Sequence, residues 1–131
     1  MDWCKFNELT ILIIDDDQFT RELIKTMLRE IPTITVHVAM DGVEALTMIE
    51  EHTYDMFLVD LYMPKMNGEK FMGILKEDDK FKNIPVVLMT TDRLTRKEIK
   101  VIGTNYYLTK PFDFQNFLKS IYDFFEEELA V

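Results

Sequence analysis

The feature that most constrains the fold is an alternation of short apolar runs with amphipathic stretches, repeated five times along the chain. The apolar runs are rich in β-branched and aliphatic residues and are too short for helices, so they predict strands. The five strands are predicted at 10–14, 33–38, 55–59, 86–89 and 106–108. Because the runs are nearly continuous in apolar residues, they are typical of a parallel sheet that is covered on both faces.

The stretches between the runs predict five helices, at 19–30, 42–51, 68–77, 94–102 and 113–129. In three of them, apolar residues recur at helical spacing and predict a stripe that faces the core. These are Phe19, Leu23, Ile24, Met27 and Leu28 in the first helix, Val43, Leu46 and Ile49 in the second, and Phe114, Phe117, Leu118, Ile121, Phe124 and Phe125 in the last. Right-handed crossovers favour an α/β fold, a doubly wound five-stranded parallel sheet with helices on both faces.

Polar side chains stand where the predicted strands end. Three aspartates, at 15–17, follow the first strand, and Asp60 follows the third. Thr90 follows the fourth strand, and Lys110 follows the fifth. Ligands of doubly wound sheets bind beyond the carboxyl ends of the strands. We therefore expect carboxylates, a hydroxyl and an ammonium group to meet at one edge of the sheet.

This set of groups is suited to phosphoryl transfer beside a metal ion. Clustered carboxylates repel one another unless a cation intervenes, and these loops offer only Lys110 as a permanent one. Oxygen ligands favour Mg²⁺, or Mn²⁺, over zinc. A metal, an ammonium and a hydroxyl can together stabilise a phosphoryl group, and a carboxylate such as Asp60 can form an acyl phosphate with it.

Composition removes several other classes of function. Cys4 is the only cysteine, and His37 and His52 lack metal-ligand spacing, so we do not expect a zinc site. The net charge of −9 disfavours binding to nucleic acid or to anionic membranes. Without a long apolar run or a secretion leader, the expected location is the cytoplasm.

Four segments carry a family resemblance: ILIIDDD, YDMFLVDLYMPKMNG, NIPVVLMTT and GTNYYLTKPF. Together and in this order they resemble the receiver domains of bacterial two-component response regulators, of the single-domain, chemotaxis-regulator-like kind. The resemblance implies a flavodoxin-like strand order, 2-1-3-4-5. It also implies one receiver domain over 1–131, with 1–8 as an N-terminal extension and no output domain.

The resemblance assigns a metal site. Asp15 and Asp16 match the family's acidic pair, which holds the metal. Asp60 matches the phosphoacceptor, which also ligates the metal, and Tyr62 occupies the position that ligates through its backbone carbonyl. The expected ion is Mg²⁺, with Mn²⁺ as an alternative.

The resemblance also assigns a switch. Thr90 matches the hydroxyl that moves on activation, and Tyr107 resembles the aromatic that changes rotamer with it. Lys110 matches the lysine that contacts the phosphate, and its bond to Pro111 is expected to be cis.

Simpler interpretations stand beside these. Asp17 is expected to be a helix N-cap, and Asp15 or Asp16 alone would also suit that role. Thr90 could satisfy backbone groups at a strand end, and Tyr107 could be an ordinary core residue. The acidic stretch 126–128 is expected to be a solvated face.

Two departures from the family pattern concern the lifetime of the phosphoryl group and the surface used for output. Tyr62 is bulky for a position near the mouth of the site, and with Asp92 it predicts an altered lifetime of the phosphoryl group, in a direction that stays open. The segment 90–103 is shorter than in most relatives, and the helix at 94–102 is more basic. The usual output surface is therefore in doubt.

The leading hypothesis is a signalling switch that accepts a phosphoryl group on Asp60 from a histidine kinase or a phosphotransfer protein. Its output would be contact with an unknown downstream protein. It would not be an enzyme beyond its own phosphorylation and dephosphorylation. One alternative is an interaction module that does not depend on phosphorylation. The other is a Mg²⁺-dependent aspartyl-phosphate phosphohydrolase, which the absence of an acid at Tyr62 disfavours.

Overall fold

A computed structural model describes residues 1–104 and 106–129, and within them five strands form one parallel sheet. The strands are β1 (Leu9–Ile14), β2 (Ile34–Ala39), β3 (Met56–Asp60), β4 (Val86–Thr90) and β5 (Tyr106–Thr109). The helices are α1 (Gln18–Leu28), α2 (Gly42–Glu51), α3 (Gly68–Lys76), α4 (Arg96–Ile102) and α5 (Phe114–Leu129). The strand order β2-β1-β3-β4-β5 confirms the expected fold. None of the helices described here is long and apolar enough to span a bilayer.

The sheet separates two apolar cores. Successive side chains of a strand point to opposite faces, so Ile13 and Leu58 pack beneath α1 and α5. Their neighbours Ile14 and Val59 pack on the other face, beneath α2 and α3. The central strand β3 is buried along its whole length, which accounts for the four apolar residues that precede Asp60.

Two helix starts illustrate how capping sets the boundaries. Asp17 is the N-cap of α1, as predicted, because its carboxylate accepts hydrogen bonds from the backbone N–H groups of Phe19 and Thr20. The predicted start of α4 at Leu94 was wrong. Thr95 caps this helix in a reciprocal pair with Glu98, so the helix begins only at Arg96.

The stripes expected to face the core were partly wrong. Phe19 is 73% exposed and Leu23 is 37% exposed, while the buried side of α1 is formed by Thr20, Ile24, Met27 and Leu28. Phe114 (39% exposed) and Val43 (52% exposed) also point outward. Each residue turns a helix by about 100°, so an apolar residue one position from the stripe lies at its solvent-exposed border.

The first residues form a short 3-10 turn, Trp3–Phe6, which the sequence analysis did not anticipate. Trp3 and Phe6 pack edge-to-face against Tyr122 of α5, at centroid distances of 5.1 and 5.3 Å. Lys5 forms an ion pair with Glu126, and Glu128 accepts a hydrogen bond from the Tyr106 hydroxyl at 2.6 Å. The acidic stretch 126–128 is therefore only partly a solvated face.

Two glycines of α3 are expected to respond in opposite ways to an added methyl group. A Cβ at Gly73 would meet no atom within 4 Å, whereas a Cβ at Gly68 would lie 2.6 Å from the carbonyl oxygen of Asp60. We expect Gly73→Ala to raise the free energy of unfolding by about 0.5–1 kcal/mol, because alanine favours the helix. Urea denaturation measures this change. Gly68→Ala is the matched control and should be destabilising; an equal gain in both variants would contradict the argument.

Candidate functional site

The loops after β1 and β3 bring three carboxylates together. Asp15 is fully buried, Asp60 is 6% exposed, and Asp16 is exposed. One ligand oxygen from each lies within 4.8 Å of the other two. This clustering follows from the parallel sheet, because β1 and β3 are adjacent and both end at the same edge. The sequence-based expectation that these aspartates converge is therefore confirmed, while their roles as ligands stay a prediction.

Lys110 supplies the positive charge that faces this cluster. Its Nζ lies 2.7 Å from Asp15 Oδ2 and 3.6 Å from Asp60 Oδ1. Its backbone N–H donates to the carbonyl oxygen of Thr90 at 2.8 Å, which fixes the end of β5 beside β4. The peptide bond to Pro111 is cis, as expected. One ammonium group thus pairs with two of the three carboxylates, Asp15 and Asp60.

The acidity of Asp60 reflects this imbalance. Burial and the negative charge of Asp15 raise the pKa of Asp60 from 3.8 to about 7. The ammonium of Lys110 and a backbone hydrogen bond from Tyr62 oppose the rise and do not cancel it. The positive charge of Lys110 therefore does not offset the burial of Asp60 and the charge of Asp15.

The loops around the carboxylates are held by contacts that the sequence analysis missed. Arg21 Nη1 donates to the carbonyl oxygen of Asp15 at 2.7 Å, and the backbone N–H of Asp17 donates to Asp15 Oδ1 at 2.9 Å. Gly68 packs directly on the backbone of Asp60, as its lack of a side chain allows. Arg21 stands one turn into α1, and its spacing from the aspartates carried no signal of its own.

Thr90 ends β4 and is almost completely buried. Its Oγ1 accepts a hydrogen bond from the backbone N–H of Asp92 at 3.1 Å, which agrees with the simpler interpretation of a strand-end residue. The same hydroxyl can still donate its proton to another acceptor. The role of Thr90 in switching therefore stays a prediction.

Tyr62 joins the two loops that border the site. Its backbone N–H donates to Asp60 Oδ1 at 3.3 Å, and its hydroxyl donates to Asp92 Oδ2 at 2.7 Å. The side chain is 58% exposed, and the hydrogen bond to Asp92 raises the pKa of the phenol. Both residues were candidates from the sequence, but their contact was not predicted, because they are 30 residues apart in the chain. The ligand role of the Tyr62 carbonyl stays a prediction.

Tyr107 lies on β5 and is half-buried against the core beneath α2 and α3. This position suits an ordinary core residue, and it does not decide between that role and a switch. Both interpretations therefore stay predictions.

The carboxylate cluster fits a hard divalent cation. Its donor atoms are all oxygens, they converge from two loops, and a single ammonium leaves their charge uncompensated. Oxygen ligands of this kind suit Mg²⁺, Mn²⁺ or Ca²⁺. The geometry indicates a cation site and does not by itself select the ion.

Comparison with known proteins identifies the family. Residues 11–122 match the family model of the response regulator receiver domain. The chain belongs to this family. It is 32% identical over 120 residues to the chemotaxis protein CheY of Pseudomonas aeruginosa, covering 90% of this chain and 97% of that protein. It is 31% identical to the chemotaxis protein CheY-3 of Vibrio cholerae over 106 residues, which is 79% of this chain and 82% of the relative.

Solved structures agree with this assignment. The chemotaxis response regulator CheY4 of Vibrio cholerae superposes with a TM-score of 0.82 at 27% identity, and the match covers 89% of this chain and 98% of that one. All four receiver-domain segments quoted from the sequence lie within the matched range, and the acidic cluster lies at the ends of strands. As a receiver domain, the chain is a component of two-component signalling.

The raised pKa of Asp60 predicts a pH-dependent cost to folding. In the unfolded chain Asp60 loses its proton near pH 3.8, but in the folded protein it does so near pH 7. Wild-type stability should therefore fall across this interval as pH rises, relative to Asp60→Asn, which cannot ionise. In a chelating buffer, the variant should become more stable than wild type by up to about 4 kcal/mol above neutral pH, because each pKa unit corresponds to about 1.4 kcal/mol.

Urea denaturation across this pH range measures the difference. Asp79→Asn is the matched control, because the side chain of Asp79 is 93% exposed and lies far along the chain from the cluster. A difference between Asp60→Asn and wild type that did not change with pH would contradict the electrostatic argument.

Proposed function

We propose that this receiver domain is a Mg²⁺-dependent phosphorylation switch in which Asp60 accepts the phosphoryl group. The observation that carries the proposal is the position of Asp60. Its carboxylate ends the central strand β3, nearly buried, beside two more carboxylates and within 3.6 Å of the Lys110 ammonium. A nucleophile in this setting has both a cation site and a fixed ammonium close to the charge that phosphorylation adds.

The metal would be held by Asp15, Asp16, Asp60 and the backbone carbonyl of Tyr62. When bound, Mg²⁺, or Mn²⁺ in its place, offsets the charge of the carboxylates and of the phosphoryl oxygens. Lys110, which lies against Asp15 and Asp60, would also offset this negative charge. Asp60 then acts as a carboxylate, the form that a nucleophile needs.

The transfer itself exchanges one bond to phosphorus for another. A carboxylate oxygen of Asp60 forms a bond to the phosphorus of a phosphohistidine, the phosphorus–nitrogen bond breaks, and the histidine nitrogen takes up a proton. The product on this chain is an acyl phosphate. Water later attacks its phosphorus, which restores the carboxylate and releases inorganic phosphate. The chain thereby catalyses only its own phosphorylation and dephosphorylation.

Switching would follow from new contacts with the phosphoryl oxygens. Thr90 would give up its hydrogen bond with the Asp92 backbone and donate to the phosphoryl group, while Lys110 would turn from Asp15 toward it. Converting a mostly inactive population into a mostly active one takes about 5.5 kcal/mol. Charge-assisted hydrogen bonds of about 1.5–3 kcal/mol each are sufficient. Tyr107 would change rotamer in the space that Thr90 leaves.

The donor would be a histidine kinase or a phosphotransfer protein, and the output would be contact with a downstream protein in the cytoplasm. The net charge of −9 supports protein contact over nucleic-acid or membrane binding. The phosphohydrolase alternative receives less support, because Tyr62 provides no carboxylate near Asp60 and its phenol is bound to Asp92. The uncompensated carboxylate cluster likewise disfavours a module that does not depend on phosphorylation.

Metal binding can be measured without any phosphodonor. A ligand that binds only the folded state stabilises it by about 1.4 kcal/mol at roughly ten times its Kd. We therefore expect Mg²⁺ to raise the Tm of the wild-type protein and to leave that of Asp15→Asn nearly unchanged. Asp79→Asn, which removes an equal charge elsewhere, should keep the full shift. An undiminished shift in Asp15→Asn would remove Asp15 from the ligand set.

Phosphorylation is tested with acetyl phosphate and Mg²⁺, read by intact mass and by release of inorganic phosphate. Wild type should gain one phosphoryl group that is lost slowly, and Asp60→Asn should gain none. Lys110→Ala should accumulate less adduct than Lys110→Arg, which keeps the positive charge. Rapid release of phosphate without accumulation would favour the phosphohydrolase, and no adduct in wild type would favour the phosphorylation-independent module.

A further inference from the structure

Arg21 occupies an unfavourable place for a cation in a helix. It is the fourth residue of α1 (Gln18–Leu28), and its side chain is half-buried. The N-terminal end of a helix carries a partial positive charge, which disfavours a cation close to it. Among the described residues, no carboxylate oxygen lies within 4.0 Å of the Arg21 guanidinium. Neither the helix dipole nor an ion pair therefore accounts for a guanidinium at this position.

The guanidinium of Arg21 reaches back to the end of β1. Side chains of a helix tilt toward its N-terminus, and Arg21 Nη1 donates to the carbonyl oxygen of Asp15, six residues earlier, at 2.7 Å. The pairing of β1 with both neighbouring strands ends at Ile14, so the regular ladder stops before this carbonyl group. The hydrogen bond from Arg21 thus fixes the backbone of Asp15 at the point where the sheet ends.

The other polar groups of Asp15 are held by different parts of the fold. Its backbone N–H donates to the carbonyl oxygen of Ala39 at 3.2 Å, and its Oδ1 accepts from the backbone N–H of Asp17 at 2.9 Å. Its Oδ2 accepts from Lys110 Nζ at 2.7 Å. Together with the hydrogen bond from Arg21, these contacts fix both the position and the orientation of the Asp15 carboxylate.

The acceptor that Arg21 uses matters for a cation site. A guanidinium paired with a carboxylate of the cluster would neutralise a ligand of the proposed metal and compete with the ion. Arg21 donates to the backbone instead, so it restrains Asp15 without occupying a carboxylate oxygen. Groups that orient metal ligands raise the affinity for the metal, and their loss commonly costs about tenfold or more.

We propose that Arg21 is a positioning residue of the cation site, which holds the Asp15 carboxylate in the geometry that Mg²⁺ requires. The assignment rests on the proposed metal site of Asp15, Asp16 and Asp60, and it adds a residue outside the ligand set. Mg²⁺ demands near-ideal octahedral coordination, whereas Ca²⁺ accepts irregular arrangements of ligands. Exact placement of Asp15 therefore matters more for Mg²⁺ than for Ca²⁺, and Arg21 contributes to the preference between the two ions.

Other roles for Arg21 make different predictions. The guanidinium carries a positive charge near the cluster, so a purely electrostatic role means that its removal strengthens the binding of any cation. A role confined to the stability of the fold would change the free energy of unfolding and leave the cation affinity of the folded protein unchanged. The direction of the change in affinity therefore separates the three roles.

The test titrates the isotope-labelled protein with MgCl₂ and with CaCl₂ and follows binding by two-dimensional NMR, which reports on the folded molecule without any phosphodonor. Arg21→Met keeps an unbranched side chain with similar helix propensity and removes its donors. It should weaken Mg²⁺ binding about tenfold and Ca²⁺ binding less than about threefold. Arg21→Lys should recover part of the Mg²⁺ affinity, because its ammonium can donate to the same carbonyl oxygen.

Arg29→Met is the matched control. Arg29 is exposed at the C-terminal cap of the same helix, so its replacement removes an equal charge from α1 at the end away from the cluster. Both cation affinities of this variant should stay within about twofold of wild type, because exposed charges at a distance are screened by salt. Urea denaturation of the metal-free variants verifies that each is folded.

Several results would overturn the proposal. These are an unchanged Mg²⁺ affinity in Arg21→Met, tighter binding of both ions, equal weakening of both ions, and a loss in Arg29→Met as large as that in Arg21→Met. An Arg21→Lys variant no better than Arg21→Met would contradict the hydrogen bond to Asp15 as the cause.

The outcome can be separated from that of the phosphorylation experiment. Wild-type protein that binds neither ion would overturn the metal site and the role of Arg21 with it. Failure of Asp60 to accept a phosphoryl group, with the difference in Mg²⁺ affinity between wild type and Arg21→Met intact, would refute the phosphorylation switch and leave the role of Arg21 standing.

Discussion

The structure depends most on the electrostatic relation between three carboxylates and one ammonium group. Asp15, Asp16 and Asp60 converge within 4.8 Å, and Lys110 is the cation that faces them from β5. Burial and the charge of Asp15 together raise the pKa of Asp60 to about 7, despite the nearby ammonium. Carboxylates at this spacing favour any ligand that brings positive charge, and the same deficit makes the site responsive to a group that changes its charge.

The fold makes this unfavourable cluster possible by distributing its members over separate strands. β1, β3 and β5 each contribute to one edge of the sheet, so no single loop has to hold all the charge. The two cores on either face of the sheet supply the stability that the cluster removes. In α/β proteins of this kind, burial of the strands stabilises the fold, whereas the exposed ends of the strands carry the groups that bind ligands.

Much of this could be predicted from the sequence, because strand runs and strand-end residues are local signals. The five strands and the convergence of the aspartates followed from them, whereas the strand order followed from the family resemblance. The exposure of Phe19 could not be predicted, because an apolar stripe displaced by one residue from the buried face has the same helical spacing. The packing of Trp3 on Tyr122 and the hydrogen bond from Tyr62 to Asp92 could not be predicted either. Both join residues that are distant in the sequence, and no periodicity encodes such contacts.

The hydrogen bond between Tyr62 and Asp92 has a consequence for the movement of the loops. It links the loop after β3 to the loop after β4, beside the carboxylate of Asp60. A displacement of either loop must therefore break this hydrogen bond or carry the other loop with it. The two loops that border the carboxylate cluster are thus mechanically coupled.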